Sequence, residues 1–343
     1  MRVVYRRKRS ADTIIGMNGP TLKVAIIGAG VMGQQHARSW TQVPYATVTT
    51  ICDFNLDAAN KLATEFHAVA TASIDSVLAS DVDVVSVCIP TCFHTDTAVK
   101  VLESGKHLLL EKPMALTVAD CQTIEAAAEA SGKLLTIGQV VRFFPEYENA
   151  KRAIDNGAVG TPAVVRCRRG GIFPLWGTWF HDVNKSGGAI YDVGIHEIDW
   201  LLWLFGPVER VYARSLTESL GEDSKQDFAL VTLRHKSGVI SHMEACWADP
   251  VVSYNAFEIA GDGGLLTHDS RNNATLFLST AEKQEAMSPL ADADEPYNKQ
   301  VAAFAKSIVE GAPLAVTGAD GRAAIAVAAA ALESSRTRKV VTL

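Results

Sequence analysis

The sequence predicts an α/β protein of two domains. A doubly wound parallel sheet comes first, followed by an α+β domain with a large, mostly antiparallel open sheet. Three observations carry that prediction. Strand-like and helix-like segments alternate from Leu22 to Gly138, and from Ala163 onward strand-like runs follow one another through short turns. The length, 343 residues, suggests two domains at about 150 residues each. Alternation forces right-handed crossovers with helices on both sheet faces. Hairpin turns produce antiparallel pairing.

In chain order, Leu22 to Ile27 is almost wholly apolar, as a strand buried on both faces must be. A glycine-rich turn follows, then a helix from Gln34 to Trp40 and a β-branched strand from Ala46 to Cys52. Asp57 to Phe66 reads as helix, Val82 to Ile89 as a third buried strand, and Thr95 to Ser104 as a helix ended by Gly105. The strand His107 to Leu110, the helix Val118 to Ala130 with Gly132 behind it, and the strand Leu134 to Ile137 complete the first unit, residues 21–139. Beyond it lies a helix from Glu146 to Asn156. Strands are expected at Ala163 to Arg169, Val208 to Ser215, Asp227 to Arg234, Val239 to Trp247, Ser253 to Ala260 and Gly264 to His268. Helices Tyr297 to Val309 and Asp320 to Ser335 close the second unit, residues 140–343.

Composition narrows the function classes. Apolar residues make up 48% and charged residues 20%, which is ordinary globular usage. The longest apolar candidate, Ala323 to Leu332, is too short to span a bilayer, so no membrane partner is expected. Six scattered cysteines with no secretory apolar segment before them read as reduced thiols of a cytoplasmic protein. Net charge is −6, yet Arg2, Arg6, Arg7, Lys8 and Arg9 stand against Asp12 in the first sixteen residues. The body is therefore acidic and unsuited to nucleic acid. Residues 1–20 read as a disordered tail or as sequence ahead of a start at Met17.

Gly28-Ala29-Gly30-Val31-Met32-Gly33 is a G-x-G-x-x-G turn between a buried strand and a helix, and Asp53 closes the next strand. This is the Rossmann context for a dinucleotide. Gly28 permits the tight turn, Gly30 admits the pyrophosphate, and Gly33 lets helix and strand approach; the helix N-terminus offers free N–H groups to the phosphates. Asp53 suits ribose hydroxyls and would repel a 2′-phosphate, and Phe54 and Asn55 supply no arginine to receive one. NAD is expected in preference to NADP.

Glu111-Lys112-Pro113-Met114-Ala115 resembles the E-K-P-x-A motif of the Gfo/Idh/MocA oxidoreductases. Ser186-Gly187-Gly188 with Asp192, Gly194, His196 and Asp199 is similar to that family's second-domain motif, and Gly138 to Arg142 resembles its interdomain segment. The resemblance covers nearly all the chain after Pro20. It implies a sugar, cyclitol or related polyol as substrate, a homodimer or homotetramer built on one face of the second sheet, and cofactor contacts from Pro90, His94, Glu111 and Gln139. One departure is Ile89-Pro90-Thr91-Cys92, where many members carry Thr-Pro-Asn. Cys88, Cys92 and His94 match no usual zinc spacing, and no metal is expected.

Oxidising a secondary alcohol with a nicotinamide needs one group to take the hydroxyl proton and another to polarise the oxygen. Lys112, at the carboxyl end of a parallel strand, and His196 fit those roles. Asp192, His196 and Asp199 are spaced to share one helical face. In this reading Asp192 pairs with His196, fixes its tautomer and raises its pKa, while Asp199 is structural. Arg142, Trp176, Trp179, His181 and Tyr297 are candidate walls of a polyol pocket. Three other readings stand beside the dehydrogenase: an NAD-dependent glycosidase of the same superfamily, giving product without net NADH; a noncatalytic NAD-responsive regulator; and a dehydratase or isomerase independent of nicotinamide.

Overall fold

The computed structural model describes residues 21–343 except 176, 222, 250–252, 273–275, 281, 283 and 287–294, and gives only the backbone of 284–286. The tail expected at residues 1–20 lies outside the described residues, as does Trp176.

Six parallel strands form the first sheet: β1 (Leu22–Ile27), β2 (Ala46–Cys52), β3 (Val69–Thr71), β4 (Val84–Val87), β5 (His107–Leu110) and β6 (Leu135–Ile137), in the order β3-β2-β1-β4-β5-β6. All four residues of β4 are buried, as expected for a strand covered on both faces. Helices α1 (Val31–Trp40), α2 (Leu56–Phe66), α3 (Ile74–Leu78), α4 (His94–Glu103) and α5 (Val118–Ser131) form the crossovers. Their limits have local causes: the Asn55 side chain accepts from Asp57 N and Ala58 N to start α2, and Thr117 does the same for α5 through Asp120 N. The strand order reverses between β1 and β4, and this topological switch point opens a crevice at the carboxyl ends of the strands. Two short elements, β3 and α3, were not expected from the sequence. The third strand is shorter than Val82 to Ile89, because only Val84–Val87 find partners on both β1 and β5.

After α6 (Pro145–Asp155) the chain enters a nine-stranded sheet. It comprises β7 (Pro162–Gly170), β8 (Val208–Ser215), β9 (Phe228–His235), β10 (Ile240–Cys246), β11 (Tyr254–Gly261), β12 (Gly264–Asp269), β13 (Leu276–Ser279), β14 (Gln284–Ala286) and β15 (Val341–Thr342). The order is β14-β13-β12-β11-β7-β10-β9-β8-β15, antiparallel except where β7 and β10 run parallel. β13 to β15 go beyond the six strands expected from the sequence. Strand residues alternate: Val231, Leu233, Met243, Phe257 and Ile259 are buried, while Arg166, Arg210, Tyr212, Leu230 and Arg234 are exposed. Helices α7 (Val183–Ser186) and α8 (Ile195–Phe205) lie between β7 and β8, and α9 (Glu295–Glu310) and α10 (Gly318–Thr337) end the chain. α10 packs on β8 and α8.

The C-terminal helices return to the first sheet. Val301, Phe304 and Ala305 of α9 share a core with Val24, Ile26 and Trp40, and α10 also packs against α5. The last two helices of residues 140–343 therefore pack on elements of 21–139.

Candidate active site

The glycine turn is built for a close ligand. Gly28 has φ of +102°, and a Cβ there would lie 2.2 Å from the Cys88 carbonyl oxygen; one at Gly33 would lie 1.7 Å from the Gly28 oxygen. Beside Gly30, by contrast, a Cβ would meet nothing within 4 Å. Gly30 is the N-cap of α1 and no side chain caps that helix, so its first N–H groups face the open space beside Val31 and Met32 and are available to phosphate oxygens. Asp53 is tied into the same turn, its Oδ2 accepting from Ala29 N at 2.7 Å and its Oδ1 from Asn55 N at 2.8 Å. Phe54 points fully into solvent. These residues fit a dinucleotide whose adenosine ribose is unphosphorylated.

Lys112 follows β5 at the mouth of the crevice, and its bond to Pro113 is cis. Its Nζ donates to Asp192 Oδ1 at 2.7 Å and to the Asp192 carbonyl at 2.8 Å. Asp192 reaches the lysine through unusual local backbone. Gly187 and Gly188 both have positive φ, and a Cβ at either would strike Tyr191 or Thr217 at 2.3 Å. The Ala189 amide then donates to Asp227 Oδ2 at 2.7 Å, and Ile190–Gly194 winds as a π-turn before α8 begins.

That π-turn overturns the expected pairing of Asp192 with His196. The wider winding takes Asp192 off the helical face assumed from regular spacing, and Lys112 claims it instead. The Nδ1 of His196 is buried without a partner. Its pKa is not raised but held well below 6.5, first by burial and then by the positive charges of Lys112 and Arg169. His196 is a neutral imidazole beside an ammonium–carboxylate pair.

Two further ion pairs anchor α8. Arg142 donates to Asp199 through Nε at 2.7 Å and Nη2 at 2.6 Å, and also reaches Asp320 at 3.2 Å. Both side chains of the Arg142–Asp199 pair are nearly inaccessible, so Arg142 is corrected from a pocket wall to a buried staple. Arg169 on β7 donates to Glu197 at 2.7 Å, and Tyr147 donates to the same carboxylate oxygen at 3.1 Å. The sequence reading missed Arg169, Glu197 and Tyr147. The only signal was a second acid, Glu197, beside Asp199 in a mostly apolar helix, and its partner lies on a distant strand.

Other predicted residues divide. His94 is fully buried with Nδ1 and Nε2 each 2.9 Å from a carbonyl, those of Pro113 and Ile89. A neutral ring donates to only one of these two carbonyls, and neither ring nitrogen is open to a nicotinamide. The Glu111 carboxylate is likewise turned inward, to His36, rather than into the crevice. Pro90 caps the short turn Thr91–Phe93 at the end of β4. Gln139 is buried with both amide atoms unpartnered, which suits a residue whose partner is a ligand. His181 also has a buried, unpartnered Nδ1, and its ring lies 4.7 Å from Phe173. Half-buried Trp179 stacks on Phe180 at 3.9 Å. Tyr297, in the first turn of α9, is within electrostatic reach of Arg169.

A dinucleotide cradle facing a lysine–aspartate pair and a neutral histidine defines an NAD-dependent dehydrogenase acting on CH–OH groups. Comparison with known proteins agrees. Residues 22–139 match the model of an oxidoreductase family with an NAD-binding Rossmann fold, and residues 147–267 match the GFO/IDH/MocA C-terminal domain. The chain belongs to the Gfo/Idh/MocA family of oxidoreductases, among the NAD-dependent dehydrogenases of sugar and inositol type. It is 33% identical over 257 residues to inositol 2-dehydrogenase/D-chiro-inositol 3-dehydrogenase of Shouchella clausii, covering 72% of each chain. It is 26% identical to myo-inositol 2-dehydrogenase of Thermotoga maritima, covering 94% of this chain and 98% of that one. Among solved structures, GenD2 from gentamicin A biosynthesis in complex with NAD superposes with a TM-score of 0.84 at 26% identity, covering 100% and 99% of the two chains.

Proposed function

We propose that the protein oxidises a secondary alcohol of a sugar, cyclitol or related polyol. The observation that carries this reading is the Lys112–Asp192 pair at the carboxyl end of β5, with the neutral His196 in electrostatic reach. The Lys112 ammonium donates hydrogen bonds, so it polarises a substrate oxygen and stabilises charge that develops there. Asp192 fixes the ammonium and balances its charge. His196 is uncharged near neutral pH and can take the hydroxyl proton without first losing one. Bound NAD supplies the acceptor for the hydrogen that leaves the carbinol carbon. Names of the inositol dehydrogenase relatives support a polyhydroxy substrate.

We further assign the exposed face of the second sheet, with Tyr212 and Leu230 among its arginines, to a homodimer or homotetramer. Light scattering on the full chain tests that assignment. The six unpaired cysteines support a cytoplasmic location. The activity test is a spectrophotometric screen of cyclitols, aldoses and glycosides with NAD, read at the NADH band. NADH formation from one of these compounds is expected. Glycoside cleavage without net NADH would replace this reading with the glycosidase, and NAD binding without any turnover would replace it with the regulator.

A further inference from the structure

Beneath the crevice lies a buried charged pair that the chemistry above does not use. His36, on the inward face of α1, is fully buried, and its Nε2 sits 2.9 Å from Glu111 Oε1. The other carboxylate oxygen of Glu111 accepts the Lys112 amide at 3.0 Å. Gly138 backs the same carboxylate so closely that a Cβ there would lie 2.9 Å from Oε1. Glu111 is thus gripped from three sides.

Its placement in the sheet explains why the grip matters. The Glu111 amide still donates to Val87 in the ladder with β4, whereas the Lys112 amide goes to the Glu111 side chain instead. A carboxylate buried in this way needs a cation, since an uncompensated buried charge is costly. Burial disfavours a charged imidazole at His36, but Cys88 and Glu111 outweigh it and push His36 up to about 10. Burial also pushes the Cys88 thiol up, so near neutral pH the charge facing His36 is that of Glu111. Against its own burial, Glu111 is in turn held below the usual carboxylate range by His36 and Lys112.

We propose that His36 is a positioning residue for Lys112. It holds the Glu111 carboxylate that fixes the Lys112 backbone, so the helix offering its N-terminus to the dinucleotide also sets where the lysine stands. This inference rests on the reading that Lys112 acts on the substrate oxygen. Its consequence is specific: loosening the grip should slow turnover without weakening polyol binding, because a displacement of about 1 Å at a reacting group costs on the order of 10²-fold.

The test compares His36→Ala, His36→Gln and His36→Asn in the full chain. Amide hydrogen exchange at Lys112 is read with NAD alone, and kcat and KM with whichever polyol gives NADH in the screen. His36→Ala should speed Lys112 exchange and lower kcat by roughly 10- to 100-fold with KM nearly unchanged. Gln, whose amide can donate to Glu111 but carries no charge, should restore both readings in part. If His36→Ala does not fold, Gln and the shorter Asn carry the comparison, with slower exchange and faster turnover expected for Gln. Lys112 exchange that is the same in every variant, or kcat that falls equally with Gln, overturns the proposal and leaves His36 a packing residue. The exchange measurement needs no substrate, so a failure of the polyol reading is separable from a failure of this one.

Discussion

Asp192 and Asp199 lie on one stretch of chain and each meets one basic side chain, yet their surroundings differ. The Lys112–Asp192 pair keeps side-chain exposures of 16% and 19%, against 6% and 1% for Arg142–Asp199. Asp199 spends both oxygens on a bidentate guanidinium that also reaches Asp320 and the Ala315 carbonyl and lies over the Trp203 ring. Among the described residues the Lys112 ammonium pairs with Asp192 alone, and it borders the crevice. The saturated, dry pair holds α8 to the segment after β6, while the accessible pair has bonding capacity left for a substrate. Accessibility and unspent hydrogen bonds, rather than residue type, separate the chemistry from the scaffold.

The comparison breaks most visibly at Arg142. Arg142→Ala leaves Asp199 buried without its partner and should cost about 3–5 kcal/mol, measured by urea denaturation, while the folded fraction keeps its turnover. A loss under 1 kcal/mol would deny the staple role. Lys112→Ala should do the reverse, losing about 10²-fold or more in kcat/KM with little change in thermal midpoint. Near-normal turnover would return Lys112 to the scaffold.

The pH dependence sharpens the contrast. His196 is depressed in the folded protein by burial, Lys112 and Arg169, so it stays an uncharged acceptor as pH falls past 6.5, the value it would have when unfolded. The acid limb of kcat/KM should therefore lie well below 6.5, and His196→Ala should abolish it. An inflection at or above 6.5 would restore the Asp192–His196 pairing. His36 has the opposite sign: its stabilising effect is full below 6.5 and is lost as pH rises toward 10. Glu111, lowered from 4.5, contributes above that value and loses its effect as pH falls further. Thermal midpoints of His36→Gln should therefore vary less than those of the parent protein between pH 6.5 and 10.

Asp53 extends the comparison to a carboxylate held by backbone amides. Replacing it with serine, together with Phe54→Arg, removes a repulsive charge and adds a cation. The preference for NAD over NADP should narrow by about tenfold or reverse, the scale of one charged contact at roughly 1.4 kcal/mol. Titration calorimetry with both cofactors measures this, and tighter NADP binding by the parent protein would overturn the assignment.

Much of this molecule can be read directly from local sequence. β1, β2 and β5 fall where their apolar or β-branched runs lie, because a strand's burial is written in its own residues. The glycine turn and Asp53 are readable for the same reason: conformational freedom and charge are properties of single residues at fixed spacing. Three-residue β3 is too short to show any period. The π-turn at Ile190–Gly194 breaks the 3.6-residue rule from which the partner of Asp192 was inferred.

Partner choice is what the tertiary structure decided. The segment from Asp192 to Asp199 announces that three acids sit in an apolar stretch and must be compensated. It does not say that Lys112 takes Asp192, that Arg169 takes Glu197 and that Arg142 takes Asp199. Each cation arrives from a different strand end, brought there by crossovers and by the return of α9 and α10 to the first sheet. His36 was invisible as a participant because its partner lies 75 positions away. Local sequence determined which groups are chemically capable; the packing of the two sheets determined which of them still have a hydrogen bond to give.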